Sequence, residues 1–152
     1  MKKWMKWLLS AILFLGIFTG CTEVDDSGNA VTDEWIVEQD GWYSSKEEVA
    51  AYLIEFECLP ENYLTKNEAY DLGWDPDEGN LWDVAEGMSI GGDKFGNREG
   101  LLPKEKGRQY YECDIDYEGG YRNEKRIVYS NDGLIYYTDD HYESFEEIVG
   151  DK

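Results

Sequence analysis

The chain has 152 residues, a formal net charge of −20 and one histidine. This length fits one domain with one modest core, and the overall acidity excludes a surface that attracts nucleic acid everywhere. The positive charges, however, are unevenly placed. Residues 94–126 hold eight of the 14 lysines and arginines beside seven acids, whereas residues 21–93 hold 20 acids and two bases. The sequence therefore predicts one local region where an anion can bind.

The first 20 residues are typical of an export signal. Residues 1–6 carry three lysines, and residues 7–18 form an apolar run that is too short to span a bilayer. A small residue, a glycine and then Cys21 follow, which resembles a bacterial lipoprotein cleavage site and predicts lipidation of the Cys21 thiol. The alternative is an ordinary secretion signal with an incidental cysteine. We expect the mature protein, with a charge of −23, on the outer face of the bacterial membrane or secreted.

Residues 21–43 are predicted to be an acidic spacer, because their first part is too polar to form a core. Two tryptophans and two aliphatic residues interrupt this polarity between positions 35 and 42, so part of the segment can dock on the domain. The folded domain itself is expected to comprise residues 44–152.

Three short helices are predicted in the first half of this domain. A capping box begins at Ser45, and apolar residues then recur with helical spacing until Pro60 ends the helix. A second capping box begins at Thr65, with Gly73 placed to end that helix. Residues 80–85 form the third predicted helix.

The pattern then changes to the period of a β-strand. Residues 109–117 alternate, which predicts a half-buried strand with Cys113 on its core face and Glu112 on its polar face. Further strands are predicted at residues 89–95, 126–130 and 134–138, with a bulge at the paired glycines 91–92 and a hairpin turn at 131–133. Helices followed by antiparallel strands predict an α+β domain, with N-terminal helices packed on a C-terminal antiparallel β-sheet.

Two cysteines remain besides Cys21. Cys113 points to the core by alternation, and Cys58 lies at the end of the first helix, which must pack on that sheet. In an oxidising compartment this placement predicts a possible Cys58–Cys113 disulfide. Two free thiols are the alternative.

Two titratable residues are candidates for acid–base chemistry. His141 follows the last predicted strand, and Glu112 projects beside the cationic segment 122–126. A carboxylate among arginines is typical of a phosphate site with a base, but it is also typical of a surface ion-pair cluster. A lone histidine in a polar loop is usually only solvated. On the residues alone, nuclease activity is one hypothesis among several.

Several segments carry a stronger signal. They are LPENYLTK at 59–66, LGW at 72–74, GNLWDVA at 79–85, SIGGD at 89–93, FGNREG at 95–100 and TDDHY at 138–142. From about residue 44 to residue 149, the chain resembles without gaps the barnase-like, guanyl-preferring microbial ribonuclease family. The resemblance implies that family's α+β fold and the cleavage of RNA.

The resemblance also implies a catalytic role for six residues. Glu112 matches the family's general base and His141 its general acid. Cationic phosphate ligands fall on Lys66, Arg122 and Arg126. Arg98 matches a residue that contacts both the guanine and the scissile phosphate.

The remaining matches concern recognition of the base. Glu99 matches the carboxylate that accepts from the guanine N–H edge, and Asn97 matches a loop residue that donates its backbone N–H. Phe95 and Tyr142 match rings that pack against the base. The resemblance therefore implies cleavage 3′ of guanosine, with single-stranded RNA as the substrate.

The implied reaction is transphosphorylation to a 2′,3′-cyclic phosphate, followed by hydrolysis, and it needs no metal or cofactor. We expect a monomer, with a small acidic barstar-like inhibitor protein as a possible partner and with a lipid on Cys21 as its membrane anchor. The alternative is a weak or inactive surface-tethered binding module of the same fold, which the charge of the mature chain mildly favours, because RNA affinity depends largely on attraction to phosphate.

Overall fold

The computed structural model describes residues 35–150. The predicted signal peptide, the lipidation site Cys21 and the spacer up to residue 34 lie outside the described residues. Within residues 35–150, no helix combines the length and the apolar character that crossing a membrane requires. Residues 35–43 have irregular backbone and contact the domain, since the Tyr52 hydroxyl donates to the Gln39 carbonyl and the Asn62 side chain bonds the backbone of Tyr43.

The three predicted helices are confirmed as α1 Lys46–Phe56, α2 Lys66–Asp71 and α3 Leu81–Val84. The Ser45 side chain caps α1, and Thr65 and Glu68 form a complete capping box on α2. Gly73 follows α2 with a φ of +97°, a conformation that favours glycine. The end of α1 differs from the prediction, because Glu57 adopts a left-handed conformation and ends the helix before Pro60 is reached.

Six strands form one sheet. They are β1 Tyr63–Leu64, β2 Ser89–Phe95, β3 Tyr110–Asp114, β4 Arg126–Ser130, β5 Ile135–Thr138 and β6 Glu146–Val149. The strands lie in chain order; β1 is parallel to β2, and the other pairs are antiparallel. The α+β architecture, the four predicted strands and the bulge in β2 are therefore confirmed, whereas β1 and β6 were not predicted.

The central strands are buried on both faces, which corrects the expectation of a half-buried β3. On one face, Cys113 and Ile115 pack in the core cluster that includes Val49 and Leu53 of α1. On the other face, Tyr110 packs in a second cluster with Val128 of β4. The face predicted to be polar is therefore apolar near Tyr110, and only its other part carries polar groups.

The possible Cys58–Cys113 disulfide is not formed. Both thiols are free; Cys58 is exposed and Cys113 is buried. The left-handed Glu57 directs the chain out of α1 so that Cys58 faces solvent. Cys113 lies beneath the helix, where Gly91 of β2 approaches so closely that an added Cβ would lie 2.6 Å from the Cys113 Cβ.

We expect the two thiols to differ sharply in reactivity. Burial raises the pKa of the Cys113 thiol, and the thiolate is the reactive form. Iodoacetamide should therefore label Cys58 in the folded protein, and Cys113 only after unfolding. Peptide mapping by mass spectrometry measures both sites, and a linked Cys58–Cys113 peptide in a non-reduced digest would contradict the free thiols.

Candidate active site

The sheet register places polar side chains from three adjacent strands side by side. Asp114 on β3 is opposite Arg126 on β4, and Arg126 is opposite Thr138 on β5. Glu112 lies two residues before Asp114, so it projects from the same face. Asp114, Arg126 and Thr138 are almost fully buried, at 1%, 3% and 2% exposure. This row forms the base of the candidate site.

Glu112 is held by groups from two distant parts of the chain. Its Oε1 lies 3.0 Å from Nζ of Lys66, and its Oε2 accepts a hydrogen bond from the Tyr142 hydroxyl. Lys66 opens α2, and its backbone N–H donates to Asp93 of β2 at 2.9 Å. The side chain of Glu112 is only 12% exposed, so these contacts lie in a sheltered position.

These contacts decide the protonation state of Glu112. Burial favours the neutral acid, but it is outweighed by the hydrogen bonds from Tyr142 and Lys66 and by the charges of Lys66 and Arg122. The pKa of Glu112 is therefore lowered below its ordinary value. The result is a sheltered carboxylate that stays ionised in mildly acidic solution, as a general base requires.

Asp114 organises two of the predicted phosphate ligands. Its carboxylate forms a bidentate pair with Arg122, at 2.7 Å from Nε and 2.6 Å from Nη2. Arg126 Nε lies 3.0 Å from the same carboxylate. The aligned hydrogen bonds of Arg126 instead run from Nη1 to the carbonyls of Asn123 and Lys125, each at 2.7 Å, so its contact with Asp114 is mainly electrostatic. One buried acid thus fixes Arg122 and contacts Arg126, and the charge of Arg122 acts on Glu112.

His141 lies in the loop between β5 and β6. Its ring is exposed, and its backbone N–H donates to the Glu124 carbonyl at 3.2 Å, just before β4 begins. Both His141 and Tyr142 have positive φ, at 57° and 75°. Their ring centroids are 4.9 Å apart. Tyr142 therefore contacts the predicted acid through its ring and the predicted base through its hydroxyl.

The predicted guanine-recognition residues lie on the loop after β2. Phe95 stacks on Tyr142 with ring centroids 5.1 Å apart, which joins this loop to the rest of the site. The Asn97 side chain closes the loop through two hydrogen bonds to the backbone of Leu102. Arg98 and Glu99 are exposed at the turn. The loop thus presents charged side chains to solvent while its own backbone is fixed.

The arrangement can move protons and bind an anion. It contains an ionised carboxylate, an exposed imidazole, and the cations Lys66 and Arg122 near the carboxylate. Within residues 35–150, no group of three or more His, Cys, Asp or Glu side chains could hold a metal ion. The ionised carboxylate, the imidazole and the two cations are groups that suit acid–base chemistry at a phosphate.

Comparison with known proteins gives the family. The sequence profile described as ribonuclease matches residues 46–149, from the start of α1 to the end of β6. The chain belongs to the ribonuclease family. It is 56% identical over 100 residues to "Ribonuclease" of Heyndrickxia coagulans, which covers 66% of this chain and 92% of that protein. "Ribonuclease" of Bacillus intermedius is also 56% identical over 100 residues, and the match spans 62% of its length.

A more distant member of the ribonuclease family carries a more specific name. "Guanyl-specific ribonuclease St" of Saccharopolyspora erythraea is 42% identical over 55 residues. That match covers 36% of this chain and 54% of the relative. It therefore spans only part of the fold that the family profile covers.

Some residues that build this ribonuclease-family site were not predicted from the sequence. Asp114 shares the predicted polar face of Glu112, so the strand alternation could have placed it next to the cationic segment. Thr138 and Asp140 lie inside the segment TDDHY, but their contacts come from side chains that close a loop, which spacing does not show. Asp93 ends the segment SIGGD, but that segment does not show that its side chain contacts Lys66 of α2, because β2 and α2 are distant in the sequence.

We expect Asp114→Asn to destabilise the fold. Removing one partner of a buried ion pair leaves the other charge uncompensated, so the free energy of unfolding should fall by about 3 kcal/mol or more. Urea unfolding measures this change. Asp116→Asn is the matched control, because Asp116 pairs with Lys125 at a 41%-exposed position and its loss should cost less than about 1 kcal/mol. Equal losses in the two variants would contradict the central role of Asp114.

We expect Tyr142→Phe to raise the pKa of Glu112, because the variant keeps the burial but loses one hydrogen bond that favours the carboxylate. A lowered native pKa stabilises the fold above the unfolded pKa, and this stabilisation is lost as pH falls through the native value. In the variant the loss should begin at higher pH. NMR titration of the Glu112 carboxyl carbon measures the pKa. Tyr117→Phe, which removes a hydroxyl bonded to the Gly120 carbonyl, should leave it unchanged.

Proposed function

We propose that the protein is an endoribonuclease that cleaves single-stranded RNA, with a preference for the bond 3′ of guanosine. The observation that carries the proposal is the sheltered Glu112 carboxylate, which is held ionised by Lys66, Tyr142 and Arg122 in a chain of the ribonuclease family. The names of the relatives support RNA as the substrate, and the name of the Saccharopolyspora protein supports the guanosine preference.

In the proposed reaction, RNA supplies its own nucleophile, the 2′-hydroxyl beside each phosphate. Glu112 takes the proton of that hydroxyl while the oxygen attacks phosphorus. His141 protonates the departing 5′-oxygen, which leaves a 2′,3′-cyclic phosphate. In the second step the roles reverse: His141 takes a proton from water, and Glu112 returns one to the 2′-oxygen. DNA should not be cleaved, because it lacks the 2′-hydroxyl.

The transition state carries extra negative charge on the phosphoryl oxygens. Lys66, Arg122, Arg126 and Arg98 are proposed to stabilise it electrostatically. Asp114 holds the two arginines of the sheet region in place before substrate arrives, so little reorganisation is needed when the charge develops. The bidentate pair uses one edge of the Arg122 guanidinium, and the third nitrogen of that group remains for phosphate.

Guanine is proposed to bind at the loop after β2. Glu99 would accept from the N–H edge of the base, and the backbone N–H of Asn97 would donate to the base. Phe95 and Tyr142 already stack on each other, and their rings provide an apolar surface for the base. Arg98, which is exposed and lies against Gly96, would contact both the base and the phosphate.

The net charge of −20 opposes RNA binding, but the effect is local. Charges farther away than a Debye length of about 8 Å are largely screened at physiological salt. The cations that surround Glu112 therefore count for more than the distant acids do. We expect binding to RNA to be modest, and cleavage to fall only moderately as salt is added.

The setting of the enzyme is proposed from residues 1–21, outside the described part of the chain. Their pattern supports export and lipidation of Cys21, which would hold the domain at the outer face of the membrane. Such a nuclease is dangerous to its producer before export. A small acidic barstar-like inhibitor is the proposed protecting partner, although the acidity of this chain would weaken electrostatic steering between the two.

Glu112→Gln and His141→Ala should each reduce cleavage by at least about 100-fold, because each removes one proton-transfer group. The purified protein is incubated with RNA of defined sequence, and the cut sites and cyclic-phosphate ends are mapped. Circular dichroism and thermal unfolding check that both variants fold. Glu118→Gln, at an exposed acid outside the site, is the matched control and should retain full activity.

Two further readouts sharpen this experiment. Activity should fall as the pH is lowered through the pKa of Glu112, because Glu112 must be ionised to accept a proton, and it should persist with EDTA. Full activity of either variant would contradict the mechanism. A folded wild-type protein that binds RNA without cutting it would instead support a surface binding module.

A further inference from the structure

The loop that carries His141 is closed by one carboxylate. Asp140 Oδ1 accepts from the Thr138 hydroxyl at 2.7 Å and from the Ser144 backbone N–H at 2.9 Å. Its Oδ2 accepts from the Ser144 hydroxyl at 2.5 Å. Thr138 ends β5, and Ser144 lies two residues before β6. The carboxylate therefore ties the end of one strand to the approach of the next, with His141 and Tyr142 between them.

The same loop is connected to Glu112 through Thr138. The Thr138 oxygen accepts from the backbone N–H of Tyr142 at 3.1 Å, while its hydroxyl proton goes to Asp140. Tyr142 in turn donates its hydroxyl to Glu112. Tyr142 thus links the two carboxylates: its backbone N–H is bonded to the Thr138–Asp140 pair, and its hydroxyl is bonded to Glu112.

The backbone of His141 and Tyr142 has an unfavourable conformation that the hydrogen bonds of Asp140 help to maintain. His141 and Tyr142 are consecutive non-glycine residues with positive φ. Such a conformation is unfavourable for residues with a Cβ, and it persists only where the surroundings enforce it. The backbone N–H of His141 also donates a hydrogen bond to the Glu124 carbonyl, in addition to the hydrogen bonds that Asp140 makes with Thr138 and Ser144.

We propose that Asp140 is a positioning residue that sets the geometry of both the His141 imidazole and the Tyr142–Glu112 hydrogen bond. This assignment rests on the proposed ribonuclease function. Asp140 does not touch substrate in it; its carboxylate acts through Thr138 and Ser144. The hydrogen bonds from Ser144 and Thr138 lower the pKa of Asp140 to about 2, so the Asp140 carboxylate stays ionised in mildly acidic solution.

A second turn in the sheet offers a close structural match without the catalytic neighbours. Asp132, in the hairpin between β4 and β5, accepts from the Ser130 hydroxyl at 2.5 Å and pairs with Arg108 at 2.8 Å. Ser130 also ends a strand, two residues before its acid, as Thr138 does. A substitution at Asp132 therefore removes similar hydrogen bonds away from the candidate site, and it measures their effect on stability without an effect on catalysis.

The test compares Asp140→Asn, Asp140→Ala and Asp132→Asn with the wild-type protein on a guanosine-containing dinucleotide. Assays are run well below each thermal unfolding transition. The Asn variant keeps the shape of the side chain, so it should fold and lose less activity than the Ala variant. For Asp140→Ala, kcat should fall between about 10- and 100-fold, the cost of a misplaced catalytic group, and KM should stay within about twofold.

The pH profile of kcat/KM is a second measurement, and a change in stability alone would not shift it. Lys66, Arg122 and Tyr142 face Glu112 and hold its pKa down, and loosening the loop weakens the Tyr142 contribution. The acidic limb of both Asp140 variants should therefore shift upward, by about half a pH unit for Asp140→Ala. Asp132→Asn should lower the thermal transition while leaving kcat and the acidic limb unchanged.

The outcomes separate the two proposals. A wild-type protein that does not cleave RNA contradicts the proposed function. An active wild type whose Asp140 variants keep either the wild-type kcat or the wild-type acidic limb overturns the assignment of Asp140 alone. A fall in kcat together with a raised acidic limb, absent from Asp132→Asn, supports it.

Discussion

The buried contact of Asp114 with Arg122 and Arg126 is the interaction on which the rest of the site depends. A lone carboxylate at 1% exposure would be costly, and two guanidinium groups without it would repel each other. Together they allow positive charge to lie at the sheet surface beside Glu112. The charge of Arg122 adds to the hydrogen bonds from Tyr142 and Lys66 and to the charge of Lys66, and together these keep Glu112 ionised despite its burial. Asp114 therefore supports the ionised state of the candidate base indirectly, through Arg122.

Local signals in the sequence predicted local structure well. The capping boxes at Ser45 and Thr65 and the turn at 131–133 involve neighbours in the chain, so their residues alone determine them. The two edge strands were missed for opposite reasons. Strand β1 has only two residues, which is too short for a period, and β6 begins with two exposed glutamates that hide its apolar end.

The site itself was harder to predict, because its contacts join distant segments. Spacing put Glu112 on a polar face, but the family resemblance supplied its role, and neither indicated that Tyr142 bonds it. The possible Cys58–Cys113 disulfide was not found, because α1 ends at Glu57 and Cys58 is exposed. The left-handed conformation of Glu57 cannot be predicted from the pattern of apolar residues. The alternation of β3 predicted one solvent-exposed polar face, whereas Tyr110 and Val128 are buried in a second core cluster that covers part of that face.

The strand register also determines when the residues of the candidate site come together during folding. Lys66 and Tyr142, which both contact Glu112, are far apart in the chain, and the pairing of the strands between them brings them together. In antiparallel strands a slip of one residue would turn Glu112 and Asp114 to the opposite face. An incompletely folded chain therefore contains every residue of the site, but these residues are not yet in contact with one another. The site is therefore assembled by the completion of folding rather than by synthesis of the chain.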